Sequence, residues 1–327
     1  MKLIAYDVID FEEKVLEQVR EELGVELILE HRSLTPETLA LAEGCEGVSV
    51  IGYSRVTRNI LEGLKSMGIF QLSTRTVGFD HIDVKAAKEL GIHVSNARYE
   101  PYNVADFTVM MMLILLRKAK ISICRALVND FSLDGLKGRE LRSLTVGIIG
   151  TGRIGSTVIH NLSGFGCRIL ACDSYMNPAI RDMAEYVDLD TIYREADIIS
   201  LHVPMTEENY HMINKDSIAK MKDGVILINT ARGALINSED LIDALEKEKI
   251  GGAGIDTVED EEGIVHVHVG TNIVEKRSLL YLKQFPNVVF TQHYAFFTEE
   301  ASESMVRCGI QSIYNGASGM ENPFEIK

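Results

Sequence analysis

The chain has 327 residues, 46% of them hydrophobic, which suits two domains of ordinary size with substantial cores. A formal charge of −15 at pH 7 argues against a nucleic-acid backbone as partner, and it requires a local cation to draw in any anionic ligand. Five cysteines without a CxxC pair fit reduced thiols in a cytoplasm, and the longest apolar run, Val109–Leu116, is too short to span a bilayer.

Strand-like runs are expected at Lys2–Val8, Val25–Leu29, Val48–Ile51, Phe70–Ser73 and Ile92–Ser95. Helical patterns fall between them, near Phe11–Leu23, Pro36–Glu43, Thr57–Met67 and Val84–Leu90. This is one small α/β unit without a phosphate-binding glycine loop. A long helical pattern follows, from about Pro101 to Val128. Its wide apolar face faces either the core or a second subunit, since an apolar stripe does not identify what it meets.

A second α/β unit begins at Leu144. Val146 to Asp173 reads VGIIGTGRIGSTVIHNLSGFGCRILACD. An apolar strand leads into Gly150, Gly152 and Gly155 in GxGxxG spacing, followed by a helix, a second strand and an acid. The three glycines suit a tight turn, a close backbone approach to a pyrophosphate and close helix–strand packing. Asp173, 18 residues after Gly155, is placed to bond both ribose hydroxyls and to repel a 2′-phosphate. Ser174, Tyr175 and Met176 add no cation, so the expected cofactor is NAD rather than NADP.

Later strands are expected at Ile198–His202, Val225–Asn229, Ala253–Asp256 and Val288–Thr291, which with the first two make a six-stranded sheet. A last helix, Thr298 to Tyr314, is expected to return to the first domain. Ligands of open parallel sheets sit beyond the carboxyl ends of the strands. Arg232, an acid after Asp256, and His293 follow three of those ends. Together they suit reduction of a carbonyl beside a carboxylate: the arginine grips the carboxylate, and a histidine paired with an acid supplies the proton. Spacing from Asp256 selects Glu261 as that acid, with Glu259 as its competitor. His266 and His268 form an HVH pattern, but no third ligand is evident and no metal is expected.

Taken in order, TRTVGFDHID (Thr74–Asp83), VGIIGTGRIG (Val146–Gly155), LHVP (Leu201–Pro204), INTARGALI (Ile228–Ile236), GIDTVEDE (Gly254–Glu261) and TQHYAFFT (Thr291–Thr298) resemble the D-2-hydroxyacid dehydrogenase family. Asn96–Thr108 is similar to the D-lactate dehydrogenases of vancomycin-resistance operons and to phenyllactate dehydrogenases. The resemblance implies two doubly wound parallel-sheet α/β domains. One is a flavodoxin-like substrate domain (1–100 plus 298–327), and the other is an inserted Rossmann NAD-binding domain (101–297).

It also implies that Arg232, Glu261 and His293 are catalytic, with Arg232, Val77, Gly78 and Tyr99 binding the substrate. Gly150, Gly152, Arg153, Ile154, Gly155, Asp173, Val203, Pro204, Thr230, Ala231 and Asp256 would meet the cofactor. The substrate would be a small 2-keto or 2-hydroxy acid bound by a cytoplasmic homodimer, with no nucleic-acid or membrane partner. A non-catalytic NAD-sensing corepressor on the same fold is the alternative. Gln292 stands where the family usually has proline, Tyr102 and Asn103 are atypical, and Ile264–Lys276 matches no interpretable pattern.

Overall fold

In chain order the fold begins β1 (Lys2–Ala5), α1 (Asp10–Leu23), β2 (Glu26–Leu29), β3 (Gly47–Val50), α2 (Arg58–Ser66), β4 (Gln71–Thr74), α3 (Val84–Leu90) and β5 (His93–Ser95). The structure is a computed structural model, and it describes all residues except Glu262, Val267, Asn272 and Lys327. These first elements belong to a unit made of Met1–Glu100 and Phe297–Lys327. Its strands lie in the order β2-β1-β3-β4-β5 with every pair parallel, the flavodoxin-like order. Alternation along β1 divides the core. Leu3 and Ala5 pack with Leu16 and Val19 of α1, whereas Ile4 packs with Ile60, Leu61 and Leu64 of α2. The helix expected over Pro36–Glu43 is only a 3-10 turn, Leu39–Ala42. The Thr38 hydroxyl accepts from Thr35 N–H and donates to Ser33 O, and such local bonds compete with helix.

The second unit, Pro101–Phe296, continues with α4 (Tyr102–Leu116), α5 (Ala119–Leu127), β6 (Thr145–Ile149), α6 (Arg153–Ser163), β7 (Arg168–Cys172), β8 (Glu185–Tyr186) and α7 (Leu189–Glu195). There follow β9 (Ile198–Leu201), α8 (Lys215–Lys220), β10 (Val225–Asn229), α9 (Ser238–Glu246), β11 (Ile250–Ile255), α10 (Arg277–Leu282) and β12 (Val288–Phe290). The order β12-β11-β10-β9-β6-β7-β8 is the Rossmann arrangement, all parallel. Among the described residues it has seven strands rather than the six expected, because β8 adds a two-residue edge against Leu170 and Ala171. So short a strand carries no alternation to read.

The single helix expected from Pro101 to Val128 is two. Lys118 takes the left-handed conformation at φ 49 between α4 and α5. The returning chain docks at that break: Arg139 N–H donates to Leu116 O, and a Cβ on Gly138 would lie 2.4 Å from the same oxygen. Among the described residues no helix is long and apolar enough to cross a membrane.

The chain closes with α11 (Glu299–Ala317), which belongs to the first unit. Val306, Ile310 and Ile313 of α11 join Leu3 and Leu16 in the core. Between this helix and the sheet lies a fully buried ion pair. Arg75 Nε and Nη2 donate to Glu12 Oε1 and Oε2 at 2.8 and 2.9 Å, and Nη2 also reaches Tyr6 O at 2.8 Å. A side chain at Gly309 would strike Arg75, its Cβ lying 2.6 Å from Cγ. Removing one partner leaves a buried, uncompensated charge. Glu12→Ala is therefore expected to lower stability by about 3–5 kcal/mol, read as a fall in the urea midpoint. A Glu12→Met, Arg75→Met double variant, which removes both charges, should recover most of that loss.

Candidate active site

The carboxyl ends of the second sheet end level with one another. Cys172 pairs with Ile149, Ile149 with Leu201, Leu201 with Asn229, Asn229 with Ile255, and Ile255 with Phe290. The loops that follow these residues therefore start from one edge.

At the first of them Gly150 turns the chain at φ +97, and a Cβ there would lie 2.6 Å from His202 O. A Cβ on Gly155 would fall 2.0 Å from Gly150 O, so α6 packs on the turn as only glycine allows. Gly152 caps α6 with no side-chain hydrogen bond, and nothing lies within 4 Å of the Cβ it lacks. The first-turn N–H groups of a helix have no intrahelical acceptor, so this cradle fits a pyrophosphate against Arg153 and Ile154. Asp173 stands at the end of β7. Oδ2 accepts from Thr151 N–H at 2.6 Å and from its hydroxyl at 3.1 Å, while Oδ1 accepts from Tyr175 N–H at 3.1 Å. Burial acts to raise the Asp173 carboxyl, but the N–H groups of Thr151 and Tyr175 outweigh it and hold the group below its ordinary value. The result is a fixed, ionised carboxylate suited to ribose hydroxyls. Val203 and Pro204, just past β9, complete this side, with Val203 packed on the Gly150 turn.

Two acids follow β11, and they take different partners. Glu261 Oε1 accepts from His293 Nδ1 at 2.5 Å, and its Oε2 accepts from Val258 N–H at 3.1 Å. Glu259 pairs with His211 and with Ser238 N–H. His293 sits in the left-handed conformation at φ 54, and its carbonyl accepts from His266 Nε2 at 2.9 Å. Gln292 leaves this backbone free of the proline the family usually has there. Asp256, 1% exposed, has both carboxylate oxygens engaged by the same loop. Oδ1 accepts from the Thr291 hydroxyl and Tyr294 N–H, and Oδ2 from Ala295 N–H. No sequence signal pointed to Thr151, Thr291 or His211, because each acts through a partner distant in the chain.

Arg232 follows β10 in extended conformation, half-buried, with Nη1 donating to Ala231 O at 2.8 Å. Buried Asn229 braces this loop: its amide donates to Arg232 O at 2.9 Å, and its oxygen accepts from Ala231 N–H at 3.1 Å. Thr230 is tied to Thr108 of α4 through their hydroxyls at 3.0 Å.

Val77, Gly78 and Tyr99 belong to the first unit. Asn96 donates to Val77 O at 2.8 Å and Thr76 to Gly78 O at 2.6 Å. Across a trans peptide these bonds turn the N–H groups of Gly78 and Phe79 the opposite way. Tyr99 is partly buried. Among the described residues no three His, Cys, Asp or Glu side chains are grouped to hold a metal. The Ile264–Lys276 loop includes Val267 and Asn272, which lie outside the described residues.

A nucleotide cradle and a histidine–glutamate pair on one Rossmann edge define a nicotinamide-dependent dehydrogenase. Residues 109–295 match the model of the D-isomer specific 2-hydroxyacid dehydrogenase NAD-binding domain. The chain is 46% identical over 315 residues to an aromatic 2-oxoacid reductase of Clostridium sporogenes, covering 96% of this chain and 95% of that one. It is 39% identical to the D-lactate dehydrogenase of Escherichia coli over the full length of both. The structure of D-lactate dehydrogenase with NAD+ from Lactobacillus jensenii superposes with a TM-score of 0.89 at 32% identity, covering all of both chains. The chain belongs to the D-isomer specific 2-hydroxyacid dehydrogenase family. It is an NAD-dependent enzyme that interconverts 2-oxo and D-2-hydroxy acids.

His202, beside the glycine turn, meets Ser200 Oγ through Nε2 at 2.9 Å. Part of its surface stays exposed, yet burial of the ring pushes its imidazole down to about 4. An unfolded histidine takes up a proton near pH 6.5, so acid favours the unfolded chain between that pH and about 4. Stability contributed by neutral His202 is full above this window and is lost as pH falls through it, by roughly 3 kcal/mol in all. Between pH 7 and pH 4.5 the melting temperature of the wild type should fall more than that of His202→Asn, and equal falls would refute the assignment.

Proposed function

We propose that this enzyme reduces a 2-oxo acid to the (R)-2-hydroxy acid with His293 as proton donor, Glu261 as its partner and Arg232 as the carboxylate clamp. The carrying observation is the 2.5 Å bond between His293 Nδ1 and Glu261 Oε1. A carboxylate at Nδ1 commits that nitrogen to donating and leaves Nε2 to protonate the substrate oxygen. In the reverse direction the same nitrogen takes the proton back. Asp256 supports this by holding both sides of the His293 turn. The planar Arg232 guanidinium suits a carboxylate through paired bonds and polarises the neighbouring carbonyl. In the first unit, Val77, Gly78 and Tyr99 are the further substrate-binding residues of this reading.

NAD, when bound, supplies hydride exchange with the substrate carbon. Gly150, Gly152, Arg153, Ile154 and Gly155 would receive its pyrophosphate and Asp173 its ribose. Val203, Pro204, Thr230, Ala231 and Asp256 would border the rest.

The preferred side chain is aromatic in this reading. The Phe296 ring stands edge-on to His293 with centroids 6.5 Å apart, an apolar surface beside the acid. The Clostridium sporogenes relative carries the name aromatic 2-oxoacid reductase. Pyruvate is the second reading, favoured by the D-lactate dehydrogenase relatives. A cytoplasmic homodimer completes the proposal. Ile123, Leu127, Val128, Phe131 and Leu133 of the α5 segment are 62–84% exposed, a run of apolar side chains suited to a second copy.

His293→Ala should lower turnover by about 10²–10⁴-fold, and turnover within about tenfold of wild type would remove it as the acid. Glu261→Gln should lower kcat for reduction by about tenfold, since the imidazole loses the carboxylate that orients it. Rates of NADH oxidation with a panel of 2-oxo acids decide the side chain. A higher kcat/KM for phenylpyruvate than for pyruvate supports the aromatic reading, and the reverse order selects pyruvate.

A further inference from the structure

Beside the His293–Glu261 pair lies a second histidine–glutamate pair with a different construction. Glu259 Oε1 accepts from His211 Nε2, and Oε2 accepts from Ser238 N–H at 2.8 Å. Their side chains are 21% and 22% exposed. The tautomer of His211 follows from its neighbours. Asn237 caps α9, its oxygen accepting from Asp240 N–H at 3.0 Å, so its amide nitrogen faces His211 Nδ1 at 3.2 Å. Nδ1 therefore accepts, and the ring proton sits on Nε2 toward Glu259. His211 itself is held at φ 51, with its N–H on Ala234 O at 2.9 Å. Three loops meet at one carboxylate: the one after β9 through His211, the one after β10 through Ser238, and the one after β11 through Glu259 itself.

We propose that Glu259 is a positioning residue that locks the loop bearing Glu261 against the loop bearing Arg232, with His211 as its brace. The proposal rests on the roles given above to Glu261, His293 and Arg232. Both oxygens of Glu259 are occupied by protein donors, so it acts through its neighbours rather than on substrate. On one side, Glu261 takes its orientation from Val258 N–H at 3.1 Å, the residue just before Glu259. Asp260, between the two acids, is held at φ 55, a conformation that needs fixed ends to persist. On the other side, Gly233 follows Arg232 and packs on the same peptide. A Cβ there would lie 2.1 Å from Val258 C and 2.5 Å from Glu259 N. Asn229 spans the two loops as well, donating to Arg232 O and, at 3.5 Å, to Thr257 O. A shift of the Val258–Glu259 peptide therefore reaches the clamp and the acid's partner together.

Steady-state kinetics of the full-length enzyme test this, with phenylpyruvate and NADH as probes. Glu259→Ala should raise KM for the 2-oxo acid and lower kcat by about tenfold each, as displacement of reacting groups does. KM for NADH should stay within about twofold, because the Gly150–Gly155 cradle shares no bond with Glu259. Glu259→Gln keeps an oxygen for Ser238 N–H but turns its amide nitrogen toward the His211 Nε2 proton, so it should restore only part of each change. Wild-type constants in Glu259→Ala would overturn the lock. So would a rise in KM for NADH equal to that for the 2-oxo acid, which marks general damage. If Glu259→Ala does not fold, His211→Ala takes its place, with the same direction of change expected and wild-type behaviour equally fatal. His293→Ala, run alongside, separates the two readings. If it is crippled while Glu259→Ala is normal, the lock alone fails. If it keeps turnover within about tenfold, the proton-donor reading fails and the lock with it.

Discussion

Parallel pairing of β10, β11 and β12 sets Asn229, Ile255 and Phe290 opposite one another, and the proposed chemistry depends on that register. A parallel ladder gives every strand the same direction, so every carboxyl end delivers its loop to one edge. Arg232 leaves that edge from β10, Glu261 from β11 and His293 from β12. Separations of tens of residues in the chain thereby become hydrogen-bond distances, as the 2.5 Å between Glu261 and His293 illustrates.

Carboxylates do most of the work of fixing these loops. Asp173 collects Thr151 and Tyr175, Asp256 collects Thr291, Tyr294 and Ala295, and Glu259 collects Ser238 and His211. A buried or half-buried carboxylate is costly unless donors surround it, and main-chain N–H groups at loop turns are donors that need an acceptor. Each acid therefore specifies one loop geometry and resists alternatives. The left-handed conformations of His211, Asp260, His266 and His293 are local strain that such anchoring can hold.

The first unit uses the same chemistry for a different end. Arg75 and Glu12 neutralise each other under α11, where Gly309 leaves room for the guanidinium stem. Arg75 directly precedes Thr76, whose hydroxyl fixes Gly78 O, so the buried pair also sets the start of the Thr76–Gly78 turn.

Much of this was legible in the residues themselves. The glycine spacing from Gly150 to Gly155, the acid at Asp173 and the polar residues past each strand are local features, because turn chemistry and strand alternation act over a few residues. The continuous pattern from Pro101 to Val128 concealed a break, since apolar spacing continues through Lys118 while the cause, Gly138–Arg139 docking on Leu116, comes from elsewhere. Strand β8 was too short to carry a period. Spacing from Asp256 selected Glu261 but left Glu259 as a competitor, as two acids two residues apart in one loop differ only in what reaches them. His211 and Ser238 arrive at one, and His293 and Val258 at the other, from separate strands. The sequence by itself determined the family and its NAD cofactor, and it singled out Arg232, Glu261 and His293 as the proposed reactive residues. Only the tertiary structure decided which acid serves His293, because that choice depends on side chains brought together by the sheet rather than by the chain.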